Sequence, residues 1–466
     1  MHLRSLFSAI LFATLTMGMT PAHAASCLLD GSTVSDGQEQ MFYQVRSVPR
    51  GQSCTALGQL RGCADGALNG AQSYRYDDCL ELEEFLGVNT NRRPHQLDPA
   101  LLARTNANWI RTNVEVLAYK EQFDSGVVDP DWKFADWDYY KAAAAGPDRK
   151  AILNLMWDFK RRDQHLPLPG SQQEADLFRY LDLHILDKLV PSVDILVTGN
   201  EPFVNTMDED WQHNPAYGGI PIVVFYTRVT EHVHAYLLDR GLRDQVDLYM
   251  GAFTRLHTTK TQKQPGVRGL LAYAAVAAYV DGVDLHTHVT TVKQIDKALT
   301  FAREFTDKPI IVTEYTFVWR MQDALLEGEK LGAKFAGRWG RDPKQKIGDY
   351  MSCDVFGAGR GCKKNGPISK AEWDDFFATR DWFIDHFITQ ADAIFSQHAV
   401  RGATFGLVQT MPRKAQLSPE NPPWYMGFLF SAVAVEPGPD GTPQANYQYY
   451  DDFLAVQKQR ARVSVD

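Results

Sequence analysis

The chain has no excess of basic charge and, beyond its N-terminus, no long apolar run. Its 466 residues include 48 lysines and arginines against 57 aspartates and glutamates, a formal net charge of −9. This balance argues against a nucleic-acid partner or an anionic membrane surface. No later segment reaches the ~18 apolar residues that a membrane span needs, so we expect no membrane-spanning segment there. Hydrophobic residues make up 44% and charged residues 23%, which excludes wholesale disorder and indicates a globular protein.

The N-terminus has the three parts of a secretory signal peptide. Residues 1–4 form a short basic start, residues 6–17 an apolar core, and residues 22–24 read Ala-His-Ala, a small-residue cleavage site. The apolar core is too short to span a membrane. We therefore predict that residues 1–24 are removed and that the mature protein is secreted or periplasmic.

Cysteine is scarce, and the six cysteines fall into two groups. Four lie in the glycine-rich residues 25–80: Cys27, Cys54, Cys63 and Cys79. A segment this short buries little core, so an exported protein is expected to stabilise it with disulfides. Three pairings are possible, and the spacing does not choose between them. This small β module is either a structural cap or a carbohydrate-docking element. Cys353 and Cys362 flank a later glycine-rich turn and predict a local disulfide.

A glycine-rich phosphate-binding fingerprint is also missing, which disfavours a doubly wound nucleotide-binding sheet. Instead, residues 81–466 alternate short apolar runs with helical patterns. The eight runs are Phe85–Asn89, Trp109–Val114, Lys150–Trp157, Asp194–Glu201, Asp247–Gly251, Gly282–His286, Pro309–Glu314 and Gly402–Leu407. Eight such units predict an α/β fold, a (β/α)8 TIM barrel. The longest interval between successive apolar runs separates the seventh from the eighth, and it predicts a loop insertion at about residues 318–380.

Two carboxylates follow apolar runs on opposite sides of the predicted barrel. The fourth run ends in Asn200-Glu201-Pro202 and the seventh in Thr313-Glu314-Tyr315. The carboxyl ends of barrel strands meet at one mouth, where barrel enzymes carry their active sites. A pair of carboxylates suits glycosidic bond cleavage, because one protonates the leaving oxygen while the other attacks or activates water.

The motif Asn200-Glu201-Pro202 after the fourth strand, with Glu314 ending the seventh, resembles clan A glycoside hydrolases and is nearest to families 5 and 39. The resemblance covers roughly residues 82–430. It implies a retaining mechanism in which Glu201, with a raised pKa, is the acid/base and Glu314 is the nucleophile. It also implies that Asn200 holds the sugar 2-hydroxyl.

The same resemblance assigns supporting roles on two further strands. Arg111 shares a strand face with Trp109 and Asn113, and the clan has an arginine there that hydrogen-bonds the nucleophile. His286 and His288 end the sixth strand, where the clan commonly has histidine and then tyrosine; His288 departs from that pattern. The two histidines also have the spacing of metal ligands, but barrel metal hydrolases use it at the first strand with further ligands elsewhere. We therefore predict no metal and no cofactor.

Several aromatic residues near the strand ends are candidates for stacking against a sugar ring. They are Trp157 after the third strand, Trp319 after the seventh and Trp424 after the eighth. Each of these tryptophans is equally compatible with a core position. Tyr315, next to Glu314, is a further candidate sugar contact.

These features together predict a secreted or periplasmic retaining β-glycosidase that acts within a polysaccharide chain, with a bacterial exopolysaccharide preferred. The expected partner is a polysaccharide or oligosaccharide substrate, and a monomer is expected. A non-catalytic glycan-binding or polysaccharide-assembly protein on the same barrel is the main alternative. A metal-dependent hydrolase on this fold is the third.

Overall fold

The computed structural model describes residues 25–29, 32–44, 47–48, 53–77, 79–81, 86–126, 137–146, 149–357, 366–409, 417 and 427–463. The predicted signal peptide, Cys362 and Trp424 lie outside these residues. The chain divides into two compact units, one up to residue 82 and one from residue 83 onward. Within the described ranges, no helix is long and apolar enough to cross a bilayer.

The N-terminal unit is a small β module. Its strands are Cys27–Leu29, Ser32–Val34, Glu39–Tyr43, Ser47–Val48, Gly58–Ala64, Ala67–Leu68 and Leu80–Glu81. They form an antiparallel hairpin, a three-stranded antiparallel sheet and a parallel two-stranded pair. Each of these sheets is too small to be stable alone, so the module depends on further links between them.

Two disulfides supply those links, and they settle the pairing that the spacing left open. Cys27 is bonded to Cys63, and Cys54 is bonded to Cys79. Cys27 and Cys63 pack with Phe42, which is fully buried, in a small apolar core. The module is thus stabilised by covalent links around a minimal core. In the second unit Cys353 is also disulfide-bonded; its predicted partner lies outside the described residues.

The second unit is built on eight parallel strands. In chain order they are Leu86–Asn89, Trp109–Glu115, Lys150–Met156, Ile195–Val197, Asp247–Thr254, Gly282–His288, Ile310–Thr316 and Val400–Val408. Each strand pairs with the next, and the eighth pairs with both the seventh and the first, which closes the sheet. The predicted (β/α)8 barrel is confirmed, and each predicted apolar run overlaps one barrel strand. Phe428–Ser431 and Gln444–Ala445 extend the sheet beside the eighth strand.

Helices connect and cover these strands. They are Pro99–Ala103, Val116–Ser125, Trp137–Ala144, Gln172–Leu181, Asp187–Leu189, Pro202–Asn205, Pro221–Asp239, Thr259–Gln262, Pro265–Val276, Lys293–Arg303, Val318–Leu326, Gly332–Trp339, Ile347–Asp349, Lys370–Ala378, Phe387–Gln397 and Tyr449–Val463. Two begin at the sequence pattern Ser-x-x-Glu, where Ser171 and Ser369 accept a hydrogen bond from the backbone N–H three residues later. Such caps fix where a helix starts, because they satisfy its first free N–H groups.

The interior of the barrel is layered along the strands. An apolar layer consists of Trp109, Ile152, Ile195, Val197, Tyr249 and Ile311. Side chains two residues apart on a strand share a face. The polar side chains of Arg111, Asn154 and Thr313 therefore follow directly above this layer. All three are fully buried. A closed apolar floor thus supports a buried polar layer, on which the mouth of the barrel is built.

The first two barrel strands approach each other closely at Gly87. A methyl group at Gly87 would collide with the Cβ atom and the carbonyl oxygen of Trp109. We expect Gly87→Ala to lower the free energy of unfolding by at least about 2 kcal/mol. Differential scanning calorimetry should show this as a lower melting midpoint.

The matched control is Gly337→Ala, inside helix Gly332–Trp339, where an added Cβ has no neighbour within 4 Å. It should leave the midpoint unchanged or raise it, because alanine favours the helix by up to about 1 kcal/mol over glycine. Equal midpoints for the two variants would contradict the close approach.

Candidate active site

Arg111 lies at the centre of the polar layer and donates to side chains from four other strands or their ends. Its Nε donates to Asn154 Oδ1 at 3.0 Å, and its Nη1 donates to Asn91 Oδ1 at 3.0 Å and to Glu314 Oε1 at 2.5 Å. Its Nη2 donates to Asn200 Oδ1. The guanidinium is fully buried, so these bonds replace the water that it would otherwise hold. The planar fork of donors therefore fixes the positions of its acceptors.

The two glutamates reach the site from different backbone settings. Glu314 lies within the seventh strand. Glu201 follows the fourth strand and has a left-handed backbone, with φ of 48°. Its N–H donates to Ala252 O at 3.0 Å, and its carbonyl oxygen accepts from Val204 and Asn205 as the next helix begins. A left-handed backbone is uncommon away from glycine and is found where surrounding bonds hold it in place. Here those bonds hold the carboxylate at the mouth of the barrel.

His286 and His288 lie between the two carboxylates. His286 Nδ1 is 3.3 Å from Glu201 Oε1, and its Nε2 is 3.7 Å from Glu314 Oε1. His288 Nε2 is 3.4 Å from Glu314 Oε2 and 3.9 Å from Glu201 Oε1. Both imidazoles are almost fully buried, whereas the carboxylate side chains are 20% and 15% exposed. The glutamates are therefore the groups that a ligand in the mouth can touch.

A second set of polar groups orients His286. Its Nε2 is 3.1 Å from Thr313 Oγ1, and Thr313 Oγ1 donates to Asp284 Oδ2 at 2.6 Å. Asn154 Nδ2 donates to the same Asp284 oxygen at 2.8 Å. Burial raises the pKa of Asp284, an effect that neighbouring charges and these bonds only partly offset. The contact with Thr313 holds the imidazole ring so that Nδ1 faces Glu201.

Charge in the site sets the ionisation of both carboxyl groups. Burial alone would raise the pKa of Glu314, but the positive charges of His286 and Arg111 and a hydrogen bond from His288 outweigh it and hold this pKa far below its usual value. Burial also opposes ionisation of Glu201, but His286 and His288 lower its pKa overall. The predicted raised pKa of Glu201 is thus wrong, because two imidazoles flank this carboxylate.

The histidine beside Glu201 shows the opposite shift. Burial disfavours the charged form of His286, yet the charges of Glu314 and Glu201 raise its pKa overall. The lowered pKa of Glu201 and the raised pKa of His286 have one cause, the attraction between the two groups across 3.3 Å. Glu314 is therefore held ionised, and Glu201 lies beside an imidazole whose protonated form the site favours.

The structure brings Glu201, Glu314, Asn200, Arg111, His286 and His288 into one cluster, as predicted from their strand ends. Two predicted sugar contacts are not in this cluster. Trp157 is fully buried, donates to Thr198 O at 2.9 Å and packs edge-on against Phe225. Tyr315 points away from the mouth and packs against Phe395 and Phe405. Both interpretations as sugar contacts are wrong, because these rings belong to the packing outside the barrel.

Trp319 lies in helix Val318–Leu326, which follows the seventh strand. It is only partly buried, and the Arg255 guanidinium lies 5.4 Å from its ring centroid. Trp424 lies outside the described residues.

Sequence reasoning missed Asp284, Thr313 and Asn91 as parts of the site. A signal existed for Asp284, since Asp284, His286 and His288 alternate along one strand and must share its inner face. For Asn91, which follows the first strand with a φ of 49°, no pattern singled it out from other loop residues.

Glu201, His286 and His288 also form a potential metal-binding group. Each offers one ligand atom, and the three atoms lie within 4.8 Å of one another. Among the described residues this is the cluster whose donor types and spacing would suit a metal ion.

No protein-family model matches the chain, and no curated protein matches it. Solved structures do match, at low identity. The beta-glucosidase from Thermotoga maritima in complex with azafagomine is 10% identical, with 81% of this chain and 98% of that chain covered and a TM-score of 0.48. The GH53 catalytic domain of Ignisphaera aggregans is 12% identical over 81% and 97%, with a TM-score of 0.45. The Thermotoga petrophila endo-1,4-beta-D-mannanase is 12% identical over 81% and 99%, with a TM-score of 0.44. Function must therefore be inferred from the site.

Arg111→Met tests the central cation. Removing one partner of a buried ion pair leaves Glu314 as an uncompensated charge, so we expect a loss of about 3 kcal/mol in unfolding free energy at pH 7. The lowered pKa of Glu314 stabilises the folded wild type above the unfolded-state value of about 4.3, and this stability is lost as the pH falls further. The difference in unfolding free energy between the wild type and Arg111→Met should therefore become smaller below about pH 4. Chemical denaturation at several pH values measures it.

Arg92→Met is the matched control, because Arg92 forms a more exposed ion pair with Glu115. It should cost less than about 1 kcal/mol. An Arg111→Met variant no less stable than Arg92→Met would contradict the role of Arg111.

Proposed function

We propose that this protein is a retaining glycoside hydrolase that cleaves β-glycosidic bonds in a polysaccharide by double displacement. The observation that carries the proposal is the meeting of Glu201 and Glu314 at the mouth of the barrel, with Glu314 held ionised and His286 Nδ1 3.3 Å from Glu201 Oε1. Glycoside hydrolysis requires two carboxyl groups, one that attacks in its ionised form and one that gives and takes a proton.

Glu314 is the nucleophile. Arg111 and the two histidines keep it ionised at any pH near neutrality, so its oxygen can attack the anomeric carbon. The bond from that carbon to the glycosidic oxygen breaks as a bond to the Glu314 carboxylate forms. A glycosyl ester results, and the attacking carboxylate needs no base to activate it.

Glu201 is the acid and later the base. In the first step its carboxyl group gives a proton to the leaving oxygen, and His286 Nδ1, 3.3 Å away, is placed to supply that proton to Glu201. In the second step water attacks the glycosyl ester and gives a proton to Glu201, and the Glu314 carboxylate is released. A group within reach of the leaving oxygen can serve as acid in one step and base in the other.

The distances in the site are compatible with retention of configuration. One nitrogen, His288 Nε2, lies 3.9 Å from Glu201 Oε1 and 3.4 Å from Glu314 Oε2, so these oxygens are at most about 7.3 Å apart. That bound includes the roughly 5 Å of retaining enzymes and excludes most of the range of about 6.5–9.5 Å found in inverting ones.

Asn200 is the proposed partner of the sugar 2-hydroxyl. Its Oδ1 accepts from Arg111, which leaves its Nδ2 as the donor that meets the sugar. This hydrogen bond strengthens as charge develops at the anomeric carbon. Trp319, partly buried beside Arg255, is the proposed stacking surface for a neighbouring ring.

The proposed substrate is a polysaccharide outside the cytoplasm, with a bacterial exopolysaccharide preferred, and the proposed action is within the chain. The predicted signal peptide and the disulfides Cys27–Cys63 and Cys54–Cys79 support a secreted or periplasmic location. A panel of β-glucans, mannans, xylans and bacterial exopolysaccharides, with product analysis, identifies the sugar and the mode of attack.

Separate Glu201→Gln and Glu314→Gln variants test the two roles. Each should lower kcat/KM on a natural glycan by at least about a hundredfold. On an aryl glycoside with a good leaving group, the rate of the glycosylation step should fall much less in Glu201→Gln, because the leaving group no longer needs a proton. In Glu314→Gln this rate should fall as much as it does on the natural glycan. Pre-steady-state kinetics on both substrates measures this difference.

Glu231→Gln is the matched control, since Glu231 is exposed on helix Pro221–Asp239, away from the carboxylate pair. It should match the wild type on both substrates. Undiminished hydrolysis in either active-site variant would refute its assigned role.

A further inference from the structure

Three potential metal ligands converge at the mouth of the barrel. Glu201 Oε1 lies 3.3 Å from His286 Nδ1 and 3.9 Å from His288 Nε2. Tetrahedral ligands bound at about 2.0 Å lie about 3.3 Å from one another, and two imidazoles with one carboxylate form a donor set known from zinc sites. The first of these distances already has that value, and the second exceeds it by about 0.6 Å. All three ligand atoms lie within 4.8 Å of one another, so metal binding requires the side chains to move closer together.

The far nitrogen of each histidine is anchored. His288 Nδ1 is 3.0 Å from Thr316 Oγ1, and His286 Nε2 is 3.1 Å from Thr313 Oγ1, which in turn bonds to Asp284. Metal-binding histidines characteristically use their other nitrogen in this way, because it fixes the tautomer and the ring orientation. The two nitrogens that face Glu201 are therefore already directed for coordination.

The charges of the cluster favour a cation. Two carboxylates face one guanidinium, so the site carries a net negative charge when both imidazoles are neutral. An imidazole lone pair directed at a carboxylate is repulsive unless a proton or a metal ion lies between them. Glu314 Oε2, 3.4 Å from His288 Nε2, is positioned as a fourth ligand or as a neighbouring counter-charge.

We propose that this cluster binds Zn²⁺ between Glu201 Oε1, His286 Nδ1 and His288 Nε2 and that the bound ion reversibly inhibits the enzyme. Nitrogen ligands select Zn²⁺ over Mg²⁺ and Ca²⁺, which prefer oxygen. A zinc ion on Glu201 removes the acid and occupies the space of the leaving oxygen. The binding rests on the cluster alone, whereas the inhibition rests on the function proposed above.

Binding is measured first, without reference to activity. Untagged full-length chain, treated with EDTA and dialysed, is titrated with Zn²⁺ and separately with Mg²⁺ by isothermal calorimetry. Co²⁺ serves as a spectroscopic probe, because its visible absorption reports tetrahedral coordination. We expect one Zn²⁺ per chain at this site, no comparable Mg²⁺ binding and an intense Co²⁺ band.

His288→Gln and Glu201→Gln should each weaken Zn²⁺ binding by at least about tenfold, because loss of an outer-shell partner alone costs that much. His213→Gln is the control, since His213 is exposed and lies outside the cluster. Melting midpoints without metal establish that the variants are folded. Absence of stoichiometric binding in the wild type, or wild-type affinity in folded Glu201→Gln, would overturn the proposal.

Activity then separates the two proposals. Loss of glycan hydrolysis on adding Zn²⁺ and recovery with EDTA supports the inhibitory site. Zinc binding in a protein that hydrolyses no glycan supports the metal site and counts against the proposed function. Hydrolysis that requires the metal and disappears with EDTA overturns the inhibitory role in favour of a metal-dependent hydrolase.

Discussion

The buried guanidinium of Arg111 is the interaction on which the site depends. Its donors reach Asn91, Asn154, Asn200 and Glu314, which lie on or after the first, third, fourth and seventh strands. One side chain thus ties together groups from much of the barrel circumference. A cation without water must have every donor satisfied, so its partners are held where it requires them. The position and the ionised state of Glu314 follow from this single constraint.

The site also shows how neighbouring groups decide the ionisation of a buried carboxyl group. Burial alone would raise the pKa of Glu201 above its usual value. His286 and His288 reverse that effect. Thr313, which donates to Asp284, lies 3.1 Å from His286 Nε2 and holds this ring with Nδ1 towards Glu201. Ionisation of the site is therefore a property of the cluster and not of either carboxyl group alone.

Much of the fold was predictable from the sequence because barrel strands are short apolar runs whose ends are marked by polar residues. That same rule identified Glu201, Glu314 and His286. It failed for Tyr315, because neighbouring residues on a strand point to opposite faces, so Tyr315 cannot share the mouth with Glu314. The strand pairing is also shifted there: Leu285 pairs with Val312, but His286 pairs with Glu314. This irregularity leaves Thr313 as the extra residue, and no local pattern predicts it.

Trp157 illustrates a second limit of the sequence. A tryptophan at a strand end is equally suited to a sugar platform and to the packing between strand and helix. Trp157 is buried because it packs against Phe225 and donates to the carbonyl oxygen of Thr198. These two residues belong to other segments of the chain, so the sequence around Trp157 does not reveal them. Likewise, the four cysteines of the module indicated disulfides without their pairing, because the pairing depends on how its small sheets pack.

The most direct test of the account is to trap the covalent intermediate on Glu314. The protein is incubated with a 2-deoxy-2-fluoro glycoside of the sugar that it hydrolyses, with a good leaving group, and its peptides are analysed by mass spectrometry. We expect one glycosyl group per chain, attached to the peptide that contains Glu314. A label on another residue, or turnover with inversion and no labelled peptide, would contradict it.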